Sequence, residues 1–134
     1  MSGISTYLWV ALGGALGSVA RFWMANAVAA VTGPRFPWGT IAINIIGSFV
    51  IGFVAYLGAP LGRVPMSFDI RAFILVGICG GYTTFSSFSL QTLELARSGF
   101  LFDAAANIVL SVVLCLLSVW AGYALGTLLG ARPT

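Results

Sequence analysis

Long charge-free runs dominate this chain, at 1–20, 22–34, 36–62, 72–93 and 104–131. A helix needs about 20 apolar residues to cross a bilayer, so each of the last three runs suffices alone. Only Arg21 separates the first two, which read as one helix. Four spans follow, at 4–31, 38–58, 71–97 and 102–128, giving an all-α membrane protein of a single four-helix domain over 1–134. Only 7% of residues are charged, against about 25% in soluble domains, which excludes an ordinary soluble globule. The first apolar stretch lacks a basic leader and outruns a signal peptide's core, so it reads as a retained span. Glycine and proline mark the breaks: Gly33-Pro34 with Pro37 after the first span, Gly58 to Pro65 after the second, Ser98-Gly99 after the third.

Charge placement carries the next inference. All six basic residues are arginines, without any cluster of the kind nucleic acid requires. With four spans, one membrane face receives Arg63, Arg71 and Arg132. The other receives Arg35 and Arg97, and Arg21 if it belongs to that end. Basic residues in loops orient a membrane protein; so even a balance points to copies inserted both ways and paired antiparallel. Glycines at close-packing spacing (Gly13 and Gly17, Gly14 and Ser18, Gly47 and Gly52) predict tight helix contact, including an oligomer interface. Cys79 and Cys115 lie far apart in apolar runs and read as packing residues.

The third span is unlike the others. Gly80-Gly81-Tyr82-Thr83-Thr84-Phe85-Ser86-Ser87-Phe88-Ser89 puts a glycine pair, five Ser/Thr hydroxyls and two phenylalanines at bilayer depth. Polar backbone there needs protein or a wet path, so the helix is expected to break near Gly80–Thr84. Helical spacing aligns Thr40, Asn44 and Ser48 on the second span, and Asn107, Ser111, Cys115 and Ser118 on the fourth. Taken singly, a membrane Ser or Thr usually bonds its own i−4 carbonyl, and a Phe pair usually packs. Asn44 is harder to dismiss, because a mid-membrane amide is costly unless used. No carboxylate lies mid-membrane; Asp69 and Asp103 fall in loops and Glu94 near a helix end. The remaining inventory is hydroxyls, amide N–H and electropositive ring edges, with Arg21 adding positive potential. Such donors suit a path for a small anion.

These residues resemble the fluoride channels of the CrcB/Fluc type. The likeness covers the whole chain in length and span number. It is carried by Gly13-Gly14-Ala15-Leu16-Gly17 leading to Arg21, by Trp38-Gly39-Thr40 through Asn44 to Gly47-Ser48, and above all by the Gly80–Ser89 block. The resemblance implies an antiparallel dual-topology homodimer with two pores, residing in lipid as a multi-pass protein of a prokaryotic inner membrane. It implies passive fluoride export that protects the cell, with no organic substrate and no enzymatic role. Ring edges of Phe85 and Phe88 would face the ion, with Asn44 in the pore, Arg21 at the vestibule, and Thr84, Ser87 and Ser111 along a polar track. Backbone oxygens of Gly80 and Thr83 would hold a structural sodium ion at the dimer centre. Two positions depart from the pattern: Gln91 stands where some relatives have glutamate, and Asn107 where some have tyrosine. A four-span proton-coupled multidrug exporter would need a membrane carboxylate in helix one, which offers only Arg21. A structural subunit without transport is the other alternative, while the lack of histidine and of any acid pair argues against an enzyme.

Overall fold

The computed structural model describes residues 3–58 and 64–130. Arg63, Arg132 and the centre of the second loop lie outside the described residues. Four helical stretches are long and apolar enough to cross a membrane: Ile4–Thr32, Trp38–Leu57, Phe68–Arg97 and Leu101–Gly130. Among the described residues there is no strand. The chain is a multi-pass membrane protein.

Helix α1 (Ile4–Thr32) closes on Gly33, whose φ of 82° lets its N–H return to the Ala29 carbonyl at 2.9 Å. After Pro37, α2 (Trp38–Leu57) runs back and ends at Gly58. The third span starts earlier than the sequence suggests. Its first turn, α3 (Phe68–Arg71), takes in Asp69, which reads as a loop charge, along with Arg71. Here each is matched to a partner: Thr6 donates to Asp69 Oδ1, and Arg71 Nη1 donates to the carbonyls of Ala55 (3.1 Å) and Gly58 (2.7 Å). Arg71 therefore caps the negative end of α2.

From Arg71 onward the span winds as a π-helix over Ala72–Cys79, then makes one α turn, α4 (Gly80–Tyr82). The i→i+5 bonding packs more residues into each turn than an α-helix does. The chain then leaves the helix at Thr83 (ψ 158°) and Thr84 (φ −153°, ψ 115°) before α5 (Phe85–Arg97). The break thus follows the glycine pair, at the two threonines. Gly99 (φ 86°) ends α5, with the Phe100 N–H bonded to the Leu95 carbonyl at 2.9 Å. The last helix is α6 (Leu101–Gly130).

Packing is inverted relative to a soluble protein. Leu, Ile, Val and Trp side chains of α1 and α6 point outward, whereas the buried positions of α1 are Thr6, Gly13 and Gly17. Lipid tails are as apolar as leucine, so contact between helices comes from small residues that let backbones approach. A Cβ on Gly13 would meet the Phe73 carbonyl oxygen at 2.5 Å, and one on Gly17 would collide with the Ile78 carbonyl oxygen and come within 2.8 Å of Tyr82 N. Gly122 and Gly126 of α6 likewise face the backbone of α2 at Phe49 and Phe53. The glycines expected to give tight helix contact do so within the subunit: Gly13 and Gly17 against the third span, Gly47 against Thr83, Gly52 against Val119. Gly14 differs, since a methyl there meets open space.

Gly17→Ala should therefore destabilise the purified protein by about 1–3 kcal/mol, the usual cost of overpacking, while Gly14→Ala should leave the subunit fold intact. Thermal unfolding in detergent of the two variants side by side checks this; equal midpoints would contradict the packing described.

Candidate functional site

Breaking a helix inside a membrane strands backbone groups that water cannot reach. At Thr84 the amide of Asn44 meets them on both sides: Nδ2 donates to the Thr84 carbonyl at 3.0 Å, and Oδ1 accepts the Thr84 N–H at 2.8 Å. One side chain from α2 thus stands in for a neighbouring backbone strand. The new helix is capped locally. Thr84 Oγ1 accepts the Ser87 N–H at 3.1 Å and donates to Ser87 Oγ at 3.0 Å.

These bonds have a consequence for the carbonyls. In an unbroken helix the Gly80 carbonyl would accept from Thr84 N–H, and the Thr83 carbonyl from Ser87 N–H. Asn44 has taken the first donor and Thr84 Oγ1 the second. The carbonyls of Gly81 and Tyr82 lose their donors in the same way, because Phe85 and Ser86 open the new helix, and such hard oxygens are a ligand type that suits a sodium-like cation.

Cavities flank the break on two sides. A cavity of about 450 Å³ is bounded by Asn44 and Ser48 of α2, Thr83 and Thr84, Phe85 and Phe88, and Ser111 and Cys115 of α6. The phenylalanine rings are 5.3 Å apart at 51°. Their surroundings differ: Phe85 is 77% exposed and Phe88 9%. A second cavity, of about 580 Å³, is bounded by Ser18 and Arg21 of α1, Thr40, Thr84, Ser86, Ser87 and Gln91. Thr84 borders both. Because Thr84 donates to Ser87, the Ser87 proton stays unspent. The second cavity therefore holds a guanidinium and hydroxyl donors without a carboxylate.

Asn44, Thr83, Thr84, Phe85, Phe88 and Ser111 come together at the first cavity, and Arg21 and Ser87 at the second, with Thr84 shared. Gly80 lines neither and lies exposed. The stripe on α2 divides, with Thr40 facing the arginine cavity and Asn44 and Ser48 the phenylalanine cavity. The stripe on α6 divides too: Ser118 bonds the Ile45 carbonyl at 2.7 Å, and Asn107 is buried against Thr92. Thr83, Ser89 and Thr92 bond their own i−4 carbonyls, as lone hydroxyls usually do. Ser18 and Gln91 also line the second cavity, where the sequence marks Ser18 only as a packing residue and Gln91 only as a departure from the family pattern. Ser18 lies one turn before Arg21, which was the available signal.

A profile of the family described as "CrcB-like protein, Camphor Resistance (CrcB)" matches residues 8–123. Among curated proteins, the chain is 60% identical over 118 residues to a "Fluoride-specific ion channel FluC" of Rhodospirillum rubrum, covering 88% of this chain and 92% of that one. Proteins of the same description from Methylocella silvestris (55% identical; 87% and 89% covered) and Opitutus terrae (54%; 90% and 91%) are similar over nearly the same length.

When ionised, the carboxyl of Asn44→Asp keeps an acceptor for the Thr84 N–H but removes the donor to its carbonyl, and adds a charge at a half-buried site. An unpaired buried group costs about 1–3 kcal/mol, and more for a charge. The variant should lose at least that much stability in thermal unfolding without any ion present. An unchanged midpoint would mean that the paired bonds do not hold the break.

Proposed function

The chain belongs to the CrcB-like family, and from that membership, together with the donors gathered at its helix break, we propose that it is a fluoride-specific ion channel. Fluoride moves passively down its electrochemical gradient, which in a cell under fluoride load means export and protection. The observation that carries this reading is the pairing of two cavities through Thr84: one has Arg21 and free hydroxyls, the other the Phe85–Phe88 pair.

Dehydration is the physical problem. A small anion gives up tightly held water only where fixed donors replace it, and it leaves only if none binds too strongly. Arg21 raises the local anion concentration from the wider cavity. Ser87 and Thr84 lead toward the phenylalanines, whose ring edges are electropositive without being charged. Ser111 continues the polar track on the α6 side. Asn44 serves this path through its hold on Thr84, the residue common to both cavities.

The pathway in this reading needs a second copy. Phe85 is 77% exposed, so half of the ring-edge site has no cover from its own chain. The even arginine distribution supports an antiparallel, dual-topology homodimer in the inner membrane. The released carbonyls of Gly80 and Thr83 suit a sodium ion held jointly by the two copies. When bound, that ion supplies the positive charge that two facing sets of carbonyls otherwise lack. A proton-coupled exporter is less well supported, since α1 carries Arg21 and no carboxylate.

Purified protein in liposomes should release fluoride and retain chloride when an ionophore supplies counter-charge, with no requirement for a proton gradient. Phe85→Ile and Phe88→Ile should each lower fluoride efflux about tenfold or more, equivalent to at least about 1.4 kcal/mol at the barrier, while the protein still assembles. Normal flux in either variant would remove that ring from the path, and equal chloride release would remove the function.

A further inference from the structure

Asn107 is the most deeply buried polar side chain beside the phenylalanine cavity, at 1% exposure, yet it borders neither of the two cavities at the break. Its contacts form a chain from α6 to α5. Ser111 Oγ lies 3.3 Å from Asn107 Oδ1, Asn107 Nδ2 lies 2.8 Å from Thr92 Oγ1, and Thr92 Oγ1 lies 2.8 Å from the Phe88 carbonyl.

The direction of this chain is fixed by elimination. The Phe88 carbonyl can only accept, so the single Thr92 proton goes there. Thr92 must then accept from Asn107, which turns the NH2 toward Thr92 and the carbonyl oxygen toward Ser111. Ser111 is left as a donor to Asn107. Its hydroxyl borders the cavity but presents lone pairs to it, the wrong sign for an anion.

We propose that Asn107 is a positioning residue that keeps the Ser111 proton in reserve and releases it only when an anion arrives. The proposal rests on the fluoride pathway described above. The Ser111–Asn107 bond, at 3.3 Å, is the longest of the three and the one that yields. When the hydroxyl rotates toward the ion, Asn107 Oδ1 loses its partner. The gain of a new donor contact is then offset by the loss of an old one. The ion is held weakly enough to move on, through exchange between two neutral bonds rather than through any charge.

Removing the competing oxygen should make Ser111 a permanent donor. For Asn107→Leu in the full chain, reconstituted in planar bilayers, the half-saturating fluoride concentration should fall about fivefold and the maximal rate by a similar factor. Fivefold corresponds to about 1 kcal/mol, the usual net worth of a neutral hydrogen bond. In a Ser111→Ala background, adding Asn107→Leu should change neither quantity. If Asn107→Leu does not assemble, Asn107→Ala removes the same oxygen and replaces it in the test. The proposal is overturned if saturation and maximal rate stay as in the wild type, or if they shift equally without the Ser111 hydroxyl. A wild type that passes no fluoride would overturn the function itself, and this proposal with it.

Discussion

A peptide group at bilayer depth has no water to turn to, and everything near Thr84 is arranged around that fact. Two residues leave the helix, and one amide from α2 bonds both sides of the second. Without that pair the span has no reason to stop at Thr83 and restart at Phe85. With it, the Thr84 hydroxyl is placed to cap α5, the carbonyls of Gly80 and Thr83 lose their usual donors, and both phenylalanines start a new helix. The cavities on either side follow from the same event, since Thr84 borders each.

The rest of the fold brings this point close to three neighbours. Gly13 and Gly17 let α1 approach the third span to backbone contact, and Gly47 does the same for α2 against Thr83. Gly122 and Gly126 hold α6 on α2, which sets Ser111 opposite the break. Most large apolar side chains face outward and solvate the subunit in lipid, while a few of them, Phe85 among these, border the cavities. Polar groups accordingly fall between the helices. Their own backbone satisfies some of them, and others keep protons to spare.

Much of this was legible in the sequence because it rests on local rules. Charge-free length gave the four spans, glycine and proline gave their ends, and the hydroxyl-rich block gave the interruption. What could not be read depends on which element lies opposite. The sequence starts the third span at Arg71 and leaves the charged Asp69 in the loop before it; only the facing Thr6 and the end of α2 make a helical turn over Phe68–Arg71 tolerable. The π winding of Ala72–Cys79 leaves no mark in an unbroken apolar run. Helical spacing put Thr40, Asn44 and Ser48 on one face, but α2 passes the break, so its lower and upper residues meet different cavities. Helical spacing puts Asn107 on a polar stripe with Ser111, but Asn107 is buried against Thr92 and lies behind the cavity wall. The glycines were recognised as packing residues, though not which partner they pack against.

The third span is fastened to α2 at two heights, by the Arg71 guanidinium at the end of that helix and by the Asn44 amide in its middle. A rod bolted at two points can neither slide like a piston nor roll about its axis without shearing both bolts together. The half-span between them is a fixed rung of the scaffold, and adjustments to a passing guest fall to side-chain rotors.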